Sequence, residues 1–298
     1  EKVAPTNSRI MIFGPSGSGK ELVARMIHKR STRSVGPFVS LNAAAITPDR
    51  MEMALFGTEG TPGQPRRIGA LEEAHRGILY LDEIGEMPRE TQNKILRVLV
   101  EQQFERIGGS KRVKVDVRII SSSAYNLESL IAEGRFREDL FHRLAVVPVK
   151  VPALAERRED IPFLVDMFMR QVSEQAGIRQ RKIGEDAMAV LQANDWPGNI
   201  RQLRNNIERL MILAQGDSPD APITAEMLPQ DLSDMLPKVS ARNDTHIMTL
   251  PLREAREMFE RDYLIAQINR FGGNISRTAE FVGMERSALH RKLKSLGV

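Results

Sequence analysis

Along the first half of the chain, short unbroken apolar runs alternate with stretches whose apolar residues recur every three or four positions. Residues 10–13, 38–41, 78–81, 117–120 and 146–151 are runs of the first kind. They are too short for helices and lack polar alternation, as expected of strands covered on both faces. Between them Leu22, Val23, Met26 and Ile27 keep helical spacing, as do Ile95, Leu96 and Leu99 within 89–100. Residues 51–56 and 71–74 read as shorter helices. Alternation of this kind predicts an α/β domain on a mostly parallel sheet, ending near Pro152. Residues 104–107 and 112–115 flank Gly108-Gly109 and predict a hairpin. Residues 57–69, rich in Gly, Pro and Thr, read as a loop.

From Ala153 the pattern becomes helical, with helices expected at 161–175, 186–193 and 200–214. Trp196-Pro197-Gly198-Asn199 separates the last two, with Asn199 expected as a cap. Residues 216–250 carry several prolines and weak periodicity, and read as a linker. A long amphipathic helix is expected at 252–271, then Gly272-Gly273-Asn274 and two short helices.

Composition narrows the classes. The 298 residues are 41% hydrophobic, ordinary for a globular chain of two or three domains. Without cysteine there are no disulfides or thiolate metal sites, which fits a cytoplasmic protein. No apolar run reaches membrane-spanning length. The formal charge of +4 does not by itself imply nucleic acid. The chain has no initiator Met and enters its first strand almost at once, so an upstream segment is expected.

Chemistry concentrates where the first strand ends. Gly14-Pro15-Ser16-Gly17-Ser18-Gly19-Lys20 joins that strand to a helix, which is the phosphate-binding P-loop pattern. Its glycines let backbone N–H groups converge on phosphate oxygens, the helix N-terminus favours anions, and Lys20 adds a mobile charge. Glu21 stands where Ser or Thr usually reaches Mg²⁺. The third strand delivers Asp82-Glu83, the Walker B arrangement. Asp82 is the candidate Mg²⁺ residue, directly or through water, and Glu83 the candidate polariser of the attacking water. Asn42, ending the neighbouring strand, is expected to bond Glu83. Arg137 and Arg143 lie near one face of a short helix, placed either as arginine fingers for a neighbouring subunit or as a solvated face.

The last module reads helix, glycine turn, helix. Ala279, Val282, Leu289 and Leu293 are expected to pack the two helices together. The second helix exposes Arg286, Ser287, His290, Arg291 and Lys294, the candidate DNA contacts. Leu264, Ile265 and Ile268 on the preceding long helix are expected to make a dimer contact.

Taken together and in order, these motifs, with the Phe-Arg-Glu-Asp-Leu run at 136–140, Val151-Pro152 and Trp196 to Arg201, resemble the NtrC-type bacterial enhancer-binding proteins. Those are ATP-driven activators of sigma-54 RNA polymerase. The resemblance implies an AAA+ P-loop parallel sheet over 1–152, a helical lid over 153–215, a linker over 216–250 and a Fis-type helix-turn-helix over 251–298. It also makes Glu21 normal. It implies Asn42 as switch partner of Glu83, Arg137 and Arg143 as trans-acting fingers and Arg201 as a nucleotide sensor. The implied assembly is a homodimer or a hexameric ring. Implied ligands and partners are ATP or ADP with Mg²⁺, double-stranded DNA and RNA polymerase.

Two departures reshape that expectation. Family members carry Gly-Ala-Phe-Thr-Gly-Ala, which pushes on sigma-54, where this chain has Thr58-Glu59-Gly60-Thr61-Pro62-Gly63-Gln64-Pro65-Arg66-Arg67. Ala124 stands where an Asn senses the γ-phosphate, and a methyl group cannot hydrogen-bond phosphate. Lack of the contact loop resembles the NtrX branch of response regulators, which pair with NtrY-type kinases through a receiver domain that this chain lacks. The expectation is a DNA-binding regulator of the nitrogen-regulation, two-component type. Nucleotide would set its conformation or assembly, hydrolysis would be slow, and sigma-54 would not be remodelled. The alternative is an ATP-hydrolysing sigma-54 activator that drives promoter opening.

Overall fold

The computed structural model describes residues 2–60, 65–177, 179, 181–213, 221–229 and 251–296. Two compact units meet at the Pro152–Ala153 bond. In the first, the strands β1 (Ile10–Phe13), β2 (Phe38–Asn42), β3 (Ile78–Asp82), β6 (Arg118–Ser123) and β7 (Val147–Lys150) form one sheet. Its order is β2-β3-β6-β1-β7, and every pairing is parallel. Parallel strands need helical crossovers, so both faces are covered. One face packs Met11, Leu79, Leu81 and Ile119 against Leu55, Ile95 and Leu99; the other packs Ile12, Tyr80 and Ile120 against Ala24. The helices are α1 (Lys20–Lys29), α2 (Pro48–Phe56), α3 (Ala70–Glu73), α4 (Arg89–Glu101), α5 (Leu127–Ala132) and α6 (Glu138–Leu144). The expected hairpin forms as β4 (Gln103–Glu105) with β5 (Arg112–Lys114), antiparallel.

One strand runs further than its apolar residues suggest. β6 continues through Ser121, Ser122 and Ser123, all buried, because Phe13 pairs with Ser123 and Leu81 with Ser121 across the ladder. Backbone pairing to two neighbours outweighs the polarity of three small side chains. The register also sets Asn42 beside Asp82 at the C-terminal edge. Arg118, at the other end of β6, donates to the carbonyls of Val3, Ala4 and Ser8, anchoring the segment that leads into β1.

In the second unit α7 (Ile161–Ala176), α8 (Glu185–Ala193) and α9 (Asn199–Leu213) enclose Trp196, whose indole N–H donates to Leu191 O at 2.8 Å. Asn199 Oδ1 accepts from the Leu154 amide at 2.8 Å, holding the approach to α7 against the start of α9. The expected linker lies outside the described residues apart from 221–229, and there it needs correction. Ile223 exchanges backbone hydrogen bonds with Lys182 and Gly184, and Ile223 and Leu228 are buried in the core of these helices. Two apolar residues nine-tenths hidden outweigh the polar composition around them.

The long helix α10 (Leu252–Arg270) precedes α11 (Ile275–Phe281) and α12 (Arg286–Ser295). Asn274 caps α11 by accepting from the Arg277 amide, and Gly283 takes φ +68° in the turn. Leu264, Ala279, Leu289 and Leu293 form the small core, with Ile268 and Val282 against it. Of the expected dimer residues Leu264, Ile265 and Ile268, Leu264 is buried in the core of its own module and Ile268 packs partly buried against it. Phe259 and Tyr263 are the exposed aromatics of α10, 52% and 37% accessible, and their rings stack.

Truncating Ile223 tests the revised boundary. Ile223→Ala should destabilise the helical unit by about 2–4 kcal/mol in chemical denaturation. A change under about 0.5 kcal/mol, ordinary for a surface position, would return 221–229 to the linker.

Candidate functional site

The loop after β1 is built by backbone geometry. Gly17 and Gly19 adopt φ +75° and +99°, a region that side chains resist. A Cβ at Gly14 would lie 2.5 Å from the Val151 carbonyl oxygen. Gly19 is the N-cap of α1, so the unpaired amides of the helix start face the loop 14–19. Pro15, Ser16 and Ser18 complete that loop, with Ser18 buried and Ser16 exposed. Glu21 pairs with Arg25 one turn along α1, at 2.7 Å on the solvent side.

Lys20 is the hidden cation of the site. Its ammonium donates to Gly14 O at 2.9 Å and Pro15 O at 3.3 Å, and lies 2.9 Å from Glu83 Oε1. The two side chains are 5% and 14% exposed, so the pair is shielded from water. Glu83 reaches it from a left-handed backbone, φ 53° and ψ 50°, a cost met by its contacts. Its other oxygen accepts from the Ala124 amide at 2.8 Å. Ala124, whose methyl cannot hydrogen-bond, contributes its backbone N–H to the site.

Asp82 is enclosed by donors. Oδ1 accepts from the Tyr80 hydroxyl at 2.8 Å and from the Ser122 hydroxyl, and Oδ2 accepts from Asn42 Nδ2 at 3.0 Å. Burial, with the Asp82 charge adding to it, pushes the Tyr80 phenol far above its ordinary pKa and keeps it a donor. Here a sequence expectation is corrected. Asn42 bonds Asp82, not Glu83, because the register sets it beside Asp82 while the left-handed turn carries Glu83 towards Lys20. Tyr80 and Ser122 were not among the expected site residues. The signal for them was the serine run ending an apolar strand.

The remaining candidates lie on α6, α9 and α12. Arg137 caps α6 and forms a two-point pair with Asp139 at 2.9 and 2.6 Å, which raises the guanidinium pKa and lowers that of the carboxyl. Arg143 is exposed in the last turn of α6. Arg201 is exposed on α9 in the second unit. On α12, Arg286, Ser287, His290, Arg291 and Lys294 are all exposed, while Lys292 is drawn back to Glu260 at 2.5 Å.

Where a sigma-54 contact loop would rise, the chain turns back on itself. Thr58 and Arg67 exchange backbone hydrogen bonds of 2.9 and 3.0 Å, and Gly57 and Glu59 bond to Ile107 beyond the β4 strand. Arg106, 5% exposed, binds Glu59 at 2.7 Å and Glu72 at 2.9 Å, joining both sides. The tip, 61–64, lies outside the described residues.

Residues 1–150 match the Sigma-54 interaction domain, 155–245 the AAA+ ATPase lid domain, and 255–296 the Fis family of bacterial regulatory proteins. Over its whole length the chain is 69% identical to the nitrogen assimilation regulatory protein NtrX of Azorhizobium caulinodans, and covers 66% of it. It is 39% identical to the DNA-binding transcriptional regulator NtrC of Escherichia coli and covers 67% of that protein. Crystal structures of NtrX from Brucella abortus in complex with ADP and with ATP match at TM-score 0.89 and 74% identity. They cover all of this chain, and it covers 66% of theirs. The chain thus spans just under two thirds of the NtrX proteins it matches.

Replacing Arg106 by Met should loosen the 57–67 segment, since two carboxylates lose their buried partner. Amide exchange at Thr58, Glu59 and Ile107 is expected to accelerate at least tenfold, with the amides of β3 and β6 unchanged. Unaltered exchange at all three would show that backbone pairing alone closes the segment.

Proposed function

Because the chain belongs to the NtrC-type family of bacterial regulators, with a sigma-54 interaction domain, an AAA+ lid and a Fis-family module, we propose that it regulates transcription as a nucleotide-controlled DNA-binding protein. Its type is the NtrX-like response regulator of nitrogen two-component systems. ATP or ADP binds the loop 14–20, and the nucleotide state sets conformation or assembly without remodelling sigma-54. The observation that carries this reading is the Thr58–Arg67 closure, whose ten-residue sequence has no Phe to offer at a loop tip.

The chemistry follows from the site. Phosphate oxygens compete for Lys20, and once they hold it Glu83 loses its counter-charge and can accept a proton from water. Mg²⁺ fits the donor set. A carboxylate offers about four acceptor positions, and the protein fills three of those on Asp82, leaving one on Oδ2 for the ion or its water. When bound, the ion would neutralise phosphate charge. Among the described residues no three His, Cys, Asp or Glu gather to hold a metal, as suits an ion that relies on phosphate for its other ligands. Ala124 offers only a backbone N–H already given to Glu83, so hydrolysis is poorly reported and slow.

Arg137 and Arg143 serve a neighbouring copy in a ring, where Arg137 must first leave Asp139. Arg201 links the lid to nucleotide. Arg286, Ser287, His290, Arg291 and Lys294 enter the DNA major groove, and a homodimer supplies two half-site readers. A receiver domain in the longer protein would take the signal from an NtrY-type kinase. The site of action is the cytoplasm, and no helix among the described residues is long and apolar enough to cross a membrane. Retention of Lys20, Asp82, Glu83 and both arginines favours a second reading, the ATP-driven sigma-54 activator with RNA polymerase as partner.

Open-complex formation on supercoiled sigma-54 promoter DNA, measured with ATPase rate on the full-length phosphorylated protein, separates the two. Slow turnover without promoter opening is expected, and robust ATP-dependent opening would establish the second reading. Ala124→Asn should shift the ATP-to-ADP affinity ratio about tenfold, within the 1–3 kcal/mol of one such hydrogen bond.

For DNA, Arg291→Ala should weaken operator binding by about tenfold or more, and Lys294→Ala should flatten its salt dependence. A chain ending at Pro229 that still bound the operator would remove α12 from this role.

A further inference from the structure

We infer that Ser122 is a positioning residue that holds both Walker B acids, with the Tyr80 hydroxyl as its partner. This rests on the nucleotide assignment above and extends it to residues that the motif does not contain.

The three buried serines of β6 have three different fates. Ser121 Oγ is buried without a hydrogen-bond partner. Ser123 Oγ bonds back to its own chain, donating to Tyr125 O and accepting from Tyr125 N, both at 3.0 Å. Ser122 Oγ alone points at the acids. It donates to Asp82 Oδ1 and accepts from the Glu83 amide at 3.3 Å. One hydroxyl therefore fixes the side chain of the first acid and the backbone of the second. The alternation of the strand explains the placement, since Ile120 and Ser122 share the face that Tyr80 occupies on β3.

Asp82 has three donors, and Ser122 is the one that also reaches the second acid. Tyr80 donates to the same oxygen, so the two hydroxyls occupy both acceptor positions of Oδ1 and turn Oδ2 outward. Glu83 needs its amide held because its left-handed backbone is costly. An alanine at 122 would take the hydroxyl from that amide and leave Asp82 held only by Tyr80 on Oδ1 and Asn42 on Oδ2, one donor fewer to fix its orientation. Partners of this kind orient a metal-binding carboxylate, and losing one commonly lowers metal affinity 10–100-fold.

The test titrates Mg²⁺ against binding of a fluorescent ADP analogue to the full-length protein, with circular dichroism as the fold control. Ser122→Ala should raise the Mg²⁺ concentration for half-maximal effect at least tenfold, while affinity in EDTA stays within twofold of wild type. Tyr80→Phe should shift it in the same direction, and Ser122→Thr, which keeps the hydroxyl, should restore the wild-type value. A folded Ser122→Ala with an unchanged Mg²⁺ midpoint overturns the inference, as does a folded Ser122→Thr that behaves like Ala. If Ser122→Ala does not fold, Tyr80→Phe decides: an unshifted midpoint overturns the inference. Lys20→Ala runs in parallel: undiminished ADP binding there overturns the nucleotide assignment itself, whatever the serine variants do.

Discussion

A buried ammonium must find a negative partner, and the geometry around Lys20 is the consequence. Its side chain lies inside the loop 14–19, shielded from the water that would otherwise solvate it. Two carbonyls satisfy its protons, but only Glu83 supplies charge. To reach it, the chain leaves β3 through a left-handed residue, and the Ala124 amide then holds the second oxygen. P-loop, β3 and the end of β6 are thereby tied by one ion pair and its hydrogen bonds. Any phosphate arriving at the loop has to compete with a carboxylate already there, which makes the pair a natural control point for the proposed nucleotide response.

The second acid is arranged on the opposite principle. Asp82 has no cation beside it among its bonded partners and is stabilised by three neutral donors. Donors of this kind orient a carboxylate without supplying a counter-charge. The site therefore keeps one charge compensated and one available. That division suits the proposed nucleotide and its metal, since Asp82 Oδ2 keeps one acceptor position open.

Away from the site, the same unit pins a second stretch of backbone. Thr58 and Arg67 pair through their backbones, and Arg106 between Glu59 and Glu72 holds that pairing against the rest of the unit. In the proposed function, Lys20, Asp82 and Glu83 and the Thr58–Arg67 pairing act on different steps. The first concerns nucleotide, the second concerns contact with the transcription machinery.

Local pattern sufficed for much of this chain. Apolar runs over 10–13 and 78–81 located two inner strands, because a strand covered on both faces has no polar side to blur it. The loop 14–20 and Asp82-Glu83 were legible because phosphate chemistry demands particular residues at adjacent positions. The helix-turn-helix was legible from glycines and spacing alone. Long-range pairing was not. Only register could set Asn42 against Asp82, and only the left-handed turn could send Glu83 to Lys20. Ser122 and Tyr80 are 42 residues apart and meet solely because β3 and β6 are neighbours. Ile223 looked like part of a polar linker until its backbone was found paired with Lys182 and Gly184. Sequence determined which chemistry the chain carries, since motifs are contiguous. Tertiary structure decided which atoms share it, since hydrogen bonds between strands depend on a register that no single segment contains.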